Sequence, residues 1–469
     1  MIEFEHVTYT YPFQERPAVE DISLRVRPGE IVLCTGASGC GKSTLIRLSN
    51  GLCPHYYRGC FSGDVRIGGI STREQRLAEI SRRLGTLFQD PEQQFFTLGV
   101  EEELVFALEW QGWSAEAMRA AVRRAVDEFG LAPLLGASLH TLSEGEKQKV
   151  GLAAIRMQEP GALILDEPTA NLDPEATVDL ARKLRQLADA GMAILVVDHR
   201  LYWLRGIADR ILVMKDGRIH EQGAFSLLED AALRERYGLR AADVRDVRHV
   251  LPACAGGAAA MVRVENLCFA HPGRKPLYEN ASFGLPAGVT ALLGRNGAGK
   301  TTLARILAGL DAENGGRLVL DGRPCGREAR LKRCGIVLQN ADHQLHMRTV
   351  RQELETCLLL AGSREASRVG ELLRDFALED LAERHPQSLS GGQKQRLVIA
   401  CALAKDPRVL ILDEPTSGLD GANMRRLAAV LAAQAAQGRC ALLITHDLEL
   451  LGNGAMHALR LPLKTTENI

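Results

Sequence analysis

No stretch of the 469 residues comes near the ~18–20 apolar residues that a membrane-spanning helix requires. The longest apolar runs, such as Met192–Val197, are the length of a strand. The chain is therefore expected to be soluble by itself and free to dock on a membrane partner. Its first residues, MIEFEHVTYTYP, alternate and are acidic, unlike a secretory leader. Neither sign of charge is in excess: 57 Lys and Arg stand against 58 Asp and Glu, a net charge of −1. Balance of that kind removes any bulk electrostatic case for nucleic acid or an anionic bilayer as partner. The 11 cysteines include no CxxC pair, and Cys53 and Cys60, which bracket His55, fit no compact zinc pattern. Scattered, unpaired thiols suit a reducing compartment.

What is present is a duplication. The length exceeds one core and fits two domains of roughly 200–250 residues. At 46% apolar and 25% charged residues, the composition is that of an ordinary globular protein. Two sets of motifs run in the same order. The first comprises GASGCGKS (Gly36 to Ser43), Gln89, an LS turn at Ser143, LDEP with Asp166 and Glu167, and His199. The second comprises GRNGAGKT (Gly294 to Thr301), Gln339, Ser390, LDEP with Asp413 and Glu414, and His446. Matched positions lie about 247–258 residues apart, an offset too steady for coincidence.

Each glycine-rich loop follows an apolar strand (EIVLCTG, GVTALLG) and opens a helix (STLIRLSNGL, TTLARILAGL). That is the context a phosphate loop needs. Gly36, Ser38, Gly39 and Gly41 would let backbone N–H groups close around phosphates, aided by the positive end of the helix. Gly294, Asn296, Gly297 and Gly299 would do the same in the second half. Lys42 and Lys300 are expected to reach the β- and γ-phosphates. Ser43 and Thr301 would ligate Mg²⁺, with Thr44 and Thr302 next in each loop. Asp166 and Asp413 would hold Mg²⁺ through water, and Glu167 and Glu414, one residue on, would polarise the attacking water. Two ATP-hydrolysing sites are expected, with ATP and Mg²⁺ as ligands.

The second half also reads LSGGQKQRL at Leu389–Leu397. With the phosphate loop, Gln, LDEP and His, this resembles the ATP-binding cassette (ABC) ATPases over essentially the whole chain, twice. The resemblance implies an α/β fold of two tandem P-loop nucleotide-binding domains. Each would have a RecA-like, mostly parallel sheet core, an antiparallel β subdomain and a helical insert (roughly residues 92–160 and 342–407). It also implies head-to-tail pairing of the two domains. Ser390 and Gly392, with Gly391 between them, would serve the ATP held by Lys42, and Ser143 and Gly145 the ATP held by Lys300. Gln89 and Gln339 would sense Mg²⁺ and the transport partner, while His199 and His446 would clamp the γ-phosphate. Asn171–Asp173 and Gly418–Asp420 resemble the loop that crosses between cassettes. Tyr11 resembles the aromatic that stacks on adenine; its counterpart by alignment is His271, with Phe269 close by. The first half departs from the pattern in reading LSEGEKQKV, with Glu144 and Glu146 where the second half has Gly391 and Gln393. A carboxylate near a γ-phosphate repels it unless it faces solvent or pairs with Lys147 or Lys149. Unequal turnover at the two sites is therefore expected.

From Gln89 the chain reads QDPEQQFFTLGVEEEL, and from Gln339 it reads QNADHQLHMRTVRQEL. This shared frame resembles the energy-coupling-factor branch of ABC ATPases, which drive vitamin and metal-ion import. The resemblance implies a transmembrane coupling subunit and a small membrane substrate-binding subunit as partners, no nucleic acid, and a cytoplasmic position on the inner face of the membrane. A soluble tandem ATPase acting on ribosomes or nucleic acid is the alternative. Tandem cassettes of the ribosome-acting kind usually carry a long charged linker, and here the join is about a dozen residues. The domains are expected at 1–245 and 261–469, with a linker at 246–260 (LPACAGGAAA within it), the boundary near residue 257, and a polar tail, KTTENI. Leu233–Val250 reads as helical, and IEFEHVTY and MVRVENLCF as exposed-edge strands.

Overall fold

The computed structural model describes residues 1–254, 260–273, 275–362 and 366–463. The tail KTTENI and the middle of the linker run, 255–259, lie outside the described residues. The chain divides into two compact units. One is Met1–Asp243 with Asp420–Ala422; the other is Val244–Leu419 with Asn423–Ile469.

The first unit contains β1 (Ile2–Thr10), β2 (Val19–Val26), β3 (Ile31–Gly36), α1 (Lys42–Ser49), α2 (Leu52–His55), β4 (Cys60–Ile67), β5 (Ile70–Ser71), α3 (Leu77–Arg83), β6 (Leu84–Leu87), α4 (Val100–Trp110), α5 (Ala115–Phe129), α6 (Glu144–Met157), β7 (Ala162–Asp166), α7 (Pro174–Asp189), β8 (Ala193–Val197), β9 (Arg210–Lys215), β10 (Arg218–Gly223) and α8 (Ala231–Arg236). Its larger sheet has the order β10-β9-β3-β8-β7-β6, with only β10 antiparallel. Every residue of β3 and β8 is buried. That is why these strands read as unbroken apolar runs: helices cover both faces of a parallel sheet. The smaller sheet, β2-β1-β4-β5, is antiparallel. Helix α7 begins at an Asp173 N-cap with Pro174 in the first turn and buries Thr177, Leu180, Ala181, Leu184 and Ala188. Spacing of three and four residues puts these on one stripe against the core.

The second unit repeats the plan with β11 (Val262–Phe269), β12 (Tyr278–Leu285), β13 (Gly288–Leu293), α9 (Lys300–Ala308), β14 (Gly315–Leu320), β15 (Arg323–Pro324), α10 (Arg327–Arg333), β16 (Cys334–Val337), α11 (Val350–Leu360), α12 (Ala366–Asp375), α13 (Gly391–Ala404), β17 (Val409–Asp413), α14 (Gly421–Ala436), β18 (Cys440–Ile444), α15 (Leu448–Gly454) and β19 (His457–Arg460). Its sheets run β12-β11-β14-β15 and β16-β17-β18-β13-β19. The larger one is parallel throughout. The expected α/β architecture of two P-loop domains, each with an antiparallel β subdomain, is what the chain adopts.

Two local expectations are corrected. β1 and β11 are not edge strands, for each is hydrogen-bonded on both sides. Their alternation records one wet face, not an edge position. The helix expected over Leu233–Val250 stops at Arg236, because Gly238 takes a left-handed conformation (φ 63°) and the chain beyond it runs irregularly. The start of the linker is also more than a tether. Ala253 pairs in parallel with Ala458 of β19, the Cys254 N–H donates to Ala458 O (3.2 Å), and Arg460 donates to the carbonyls of Arg248 and Leu251 (2.7 and 3.0 Å). Segment 248–254 thus covers the open edge of the second unit's sheet, where an exposed strand would otherwise offer unpaired backbone groups.

Candidate active sites in the two units

In the first unit the sheet ends its strands at one rim, and the loop Gly36–Ser43 sits there between β3 and α1. Gly41 caps α1 without any side-chain hydrogen bond, so the first amides of the helix have no side-chain acceptor. A Cβ on Gly36 would lie 2.2 Å from Met214 O, and one on Gly41 2.6 Å from Ala18 O, so both must be glycine. Gly39 (φ 83°) has nothing near the place of its missing Cβ; its outer side is open. Lys42 is buried and donates to the carbonyls of Gly36 (2.9 Å) and Ala37 (3.0 Å), which folds its ammonium back over the loop. Ser43 is exposed beside it, and Thr44 Oγ1 lies 3.3 Å from the Tyr11 hydroxyl. Uncapped amides, a buried ammonium and an open glycine side form a cradle whose chemistry fits a chain of phosphates.

Asp166 ends β7 in the same rim. Glu167 follows with φ 43°, a conformation held by its N–H donating to Val197 O (2.7 Å). Its carboxylate accepts from Gln89 Nε2 (3.2 Å) and lies 3.5 Å from His199 Nε2. Four of the expected residues (Gln89, Asp166, Glu167 and His199) therefore form one cluster. Burial pushes Glu167 up to about 8, reinforced by the charges of Asp166 and Asp198, and burial raises Asp166 to about 6. Burial beside Lys42 and Arg240 holds the His199 imidazole well below its ordinary value. A carboxyl cluster pushed up in this way favours added positive charge, so the donor set Ser43, Gln89 and Asp166 fits Mg²⁺.

The second unit differs in detail. Lys300 donates to the carbonyls of Gly294 (2.8 Å) and Arg295 (3.1 Å). Gly299 caps α9 as Gly41 caps α1, and Gly297 is open like Gly39. Thr301 Oγ1 donates to Asp413 Oδ2 (2.6 Å), joining two expected Mg²⁺ ligands; Thr302 is half-buried beside it. Glu414 repeats the positive φ (47°), donates its N–H to Ile444 O (2.8 Å), and accepts from Thr445 Oγ1 (3.0 Å) and the His446 N–H (3.1 Å). His446 Nε2 lies 3.0 Å from Asn296 Oδ1 and 3.9 Å from Glu414. Ser38, the first-half counterpart of Asn296, carries no amide for such a bond. Gln339 is exposed, unlike Gln89.

Both signature turns are N-caps. Ser143 opens α6 and Ser390 opens α13, each in a reciprocal capping box. Glu146 and Gln393 fill the same place in the box: the Ser143 N–H donates to Glu146 (2.8 Å) and the Ser390 N–H to Gln393 (2.9 Å). Only the carboxylate also takes the serine hydroxyl, with Ser143 Oγ 2.7 Å from Glu146 Oε2. Glu144 is paired with Lys147 at 2.9 Å. Gly145 faces Ala176, whereas Gly391 is open and Gly392 is buried. Among the described residues, no hydrogen bond joins Ser143 or Gly145 to the phosphate loop of their own unit.

Tyr11 is half-buried, and its hydroxyl accepts from Arg47 (2.9 Å). His271 is exposed and meets the buried Phe269 edge to face at 5.0 Å.

The repeated Gln/Glu frame has a structural job that the sequence alone did not disclose. Its second glutamine ties the loop to the strand before it: Gln94 accepts from Phe88 N–H (3.3 Å) and Gln344 from Leu338 N–H (2.7 Å). Its helix-start glutamate ties the loop to the helix after it. Glu103 accepts from the N–H groups of Phe96 (3.0 Å) and Thr97 (2.9 Å), and Glu353 from those of His346 and Met347. Its acid pairs with the signature helix, Glu92 with Lys147 at 2.5 Å and Asp342 with Lys394 at 2.6 Å. The loop is thus latched to α6 or α13, and the matched lysines, both four residues after the serine, were the available sequence signal.

Beside the first frame runs a groove of about 410 Å³ between α4 and α6, lined among others by Phe96, Phe106, Ala107, Trp110, Gly151 and Ala154. Phe96 and Trp110 are 75% and 80% exposed, and Phe96 stacks on Phe106 at 5.0 Å. Counted from Gln339, the second unit places His346, Thr356 and Leu360 at the aromatic positions. Among the described residues, no helix is long and apolar enough to cross a membrane.

The family described as ABC transporter matches residues 19–170 and 278–417. A protein of Treponema denticola described as an ABC transporter ATP-binding protein is 36% identical over 462 residues, covering 96% of this chain and 93% of its own. A Bacillus subtilis protein described as an HMP/thiamine import ATP-binding protein is 34% identical over 486 residues, covering 97% and 88%. Among solved structures, RNase-L inhibitor matches 97% of this chain and 87% of its own at a TM-score of 0.65 and 21% identity, a likeness of fold alone.

Proposed function

Since the chain belongs to the ABC transporter family and carries two ATPase cassettes, we propose that it energises an importer of the energy-coupling-factor type, driving uptake of a vitamin or transition-metal ion through separate membrane subunits. The observation that carries this reading is the aromatic groove of the first unit. A chain whose described residues include no membrane-crossing helix exposes Phe96 and Trp110 on a rigid frame. Exposed aromatics over a cleft are what an incoming apolar helix requires. The named import function of the Bacillus subtilis relative supports the same reading.

In each site the lysine and the loop amides would bind and orient the phosphates, and the glutamate would accept the proton of the attacking water. Ser43, Gln89 and Asp166, and Thr301, Gln339 and Asp413, would hold Mg²⁺, which when bound would supply positive charge against the phosphates. Hydrolysis is the step both kits are built for. Departure of the cleaved phosphate would remove the contacts that loop, glutamate and histidine make to it, and the frame latched by Lys147 or Lys394 would carry that change to the partner.

If the cassettes pair head to tail, as the family resemblance implies, Ser143 would serve the ATP held by Lys300. There its hydroxyl is engaged by Glu146, so that site is the slower of the two. Glu146→Gln frees the hydroxyl and removes a charge. Turnover at that site is expected to rise roughly 3–10-fold, the effect of about 1 kcal/mol, measured in a Glu167→Gln background that silences the other site. A fall or no change would remove Glu146 as the source of asymmetry.

A photo-crosslinking amino acid at Trp110, in native membranes, tests the assignment. Adducts with a cytoplasmic segment of a polytopic membrane protein are expected. Adducts with ribosomal proteins would favour the soluble tandem ATPase whose fold the chain shares.

A further inference from the structure

The first unit has a cavity at a place that the second unit fills with its own side chain. It measures about 240 Å³ and lies between the end of α5, the signature helix α6 and α7. Phe129, Leu152, Leu172 and Leu180 form its apolar wall, with Gln148 and Lys149 among the polar groups. Counted from the signature serines, Lys149 matches Arg396, and Phe129 and Gly130 match Phe376 and Ala377. In the second unit Arg396 is 9% exposed, and its guanidinium donates to the carbonyls of Phe376 (2.6 Å) and Ala377 (3.0 Å), which ties α13 to the turn after α12. Lys149 makes no such tie. Its side chain is 44% exposed and reaches instead to Asp179 at 3.8 Å. Among the described residues, no hydrogen bond reaches the carbonyls of Phe129 or Gly130. A further acceptor is idle in the cavity wall: Gln148 is 6% exposed, and its Oε1 is buried with no hydrogen-bond partner among the described residues. An acceptor left so bears its full desolvation cost until a donor arrives.

We propose that this cavity is a binding site for a small guanidinium compound with a short alkyl body. The head stands where the Arg396 guanidinium stands in the second unit. Its planar fork of five N–H donors suits the Phe129 and Gly130 carbonyls and Gln148 Oε1 better than the point charge of an ammonium does. The alkyl part covers the leucine wall, as the stem of an arginine would. Charge permits this occupant. Arg182 and Lys183 on the wall are already paired, with Asp179 at 3.0 Å and Glu128 at 3.4 Å, and Lys149 can move out to solvent. The second unit has Arg426 at the position that matches Asp179. The acid thus stands in the unit whose cavity has no guanidinium of its own. The bound molecule gives α6 the tie to the end of α5 that α13 has built in. Gly145 of the signature turn also lines the cavity, so the tie bears on that turn. The site does not depend on the transport reading.

The test titrates the full-length protein with butylguanidinium chloride at constant ionic strength and follows binding by isothermal calorimetry. Saturable binding is expected. Lys149→Arg copies the second unit, keeps the fold and fills the cavity from within. It should weaken binding by ~10-fold or more, and Gln148→Met, which keeps the shape and removes the acceptor, by roughly 10-fold. Butylammonium should bind the native protein several-fold more weakly than butylguanidinium. Hydrogen exchange locates the site: the ligand should slow the amides from Val126 to Leu131 and from Gly145 to Leu152 in the native protein and not in Lys149→Arg. Absence of saturable binding overturns the proposal. So does binding that Lys149→Arg leaves unchanged, or protection confined to other segments, since either puts the cation at a different place.

Discussion

Replacing Glu167 and Glu414 together by glutamine should lower ATP turnover by ~10²–10⁴-fold while nucleotide still binds. Both residues occupy a positive-φ turn whose N–H is fixed to the neighbouring strand, at Val197 O and Ile444 O. Backbone, not side chain, therefore aims the carboxylate, and an isosteric amide keeps the shape. It cannot keep the base. At Glu167 the hydrogen bond from Gln89 can be accepted by an amide oxygen as well as by a carboxylate. At Glu414 the bonds from Thr445 and the His446 N–H survive likewise. Single variants separate the sites, and each should leave the other kit chemically intact. Steady-state phosphate release beside equilibrium binding of ATP decides the matter: retained turnover in the double variant would remove both glutamates from the role of base.

The same substitution should change stability in a pH-dependent way when ATP and Mg²⁺ are withheld with a chelator. Glu167 is raised from 4.5 to about 8 in the fold, so the folded chain holds that proton more tightly than the unfolded chain. The stability that goes with the neutral form is full below about 4.5 and is lost as pH rises through about 8. Glu167→Gln, neutral at every pH, should therefore gain on the native protein by a few kcal/mol at the alkaline end and little at the acid end. Thermal unfolding in chelator across that range measures the difference, and parallel curves would refute the buried-carboxyl account.

The duplicated motifs were legible because they are contiguous and backbone-dictated. A strand, a glycine loop and a helix must follow one another for the phosphate cradle to form, and the steady offset counts the same units twice. The unbroken apolar runs of β3, β8, β17 and β18 likewise announced a buried parallel sheet. Pairings distant in sequence were not legible. Nothing in a local pattern names Glu92 as the partner of the matched Lys147, or Asn296 as that of His446. Edge or interior position was also hidden, since β1 alternates for its wet face whatever lies beside it. The helix beyond Arg236 failed for a local reason: a charge-rich run carried the expectation, but Gly238 breaks it with a left-handed turn and the chain does not resume.

Gly41→Ala should damage the first site more than Gly299→Ala damages the second, although the two glycines are matched positions in matched loops. Both sit at left-handed φ, 105° and 96°, so any L side chain costs about 1–2 kcal/mol in either place. The surroundings then decide. A Cβ on Gly41 meets the Ala18 carbonyl at 2.6 Å, a backbone atom whose own N–H is bonded to Tyr9 O and which cannot turn aside. A Cβ on Gly299 meets the end of the Leu277 side chain, which can swing away, and the hydroxyl of the buried Tyr278, which would have to loosen its bond to Gly299 O (2.8 Å) but not move backbone. In the first loop the displacement passes to the next residue, Lys42, whose ammonium leaves the Gly36 and Ala37 carbonyls. A shift of about 1 Å in a positioned group is enough for a ~10²-fold loss in rate. Gly41→Ala should thus combine a lower melting temperature with near-silent chemistry at Lys42, while Gly299→Ala keeps binding and loses the conformational share and part of the Tyr278 hydrogen bond. Thermal unfolding with and without ATP, and single-site turnover in the matching Glu→Gln background, separate the two. Equal losses would mean that backbone conformation alone, and not the Ala18 carbonyl, sets the demand for glycine.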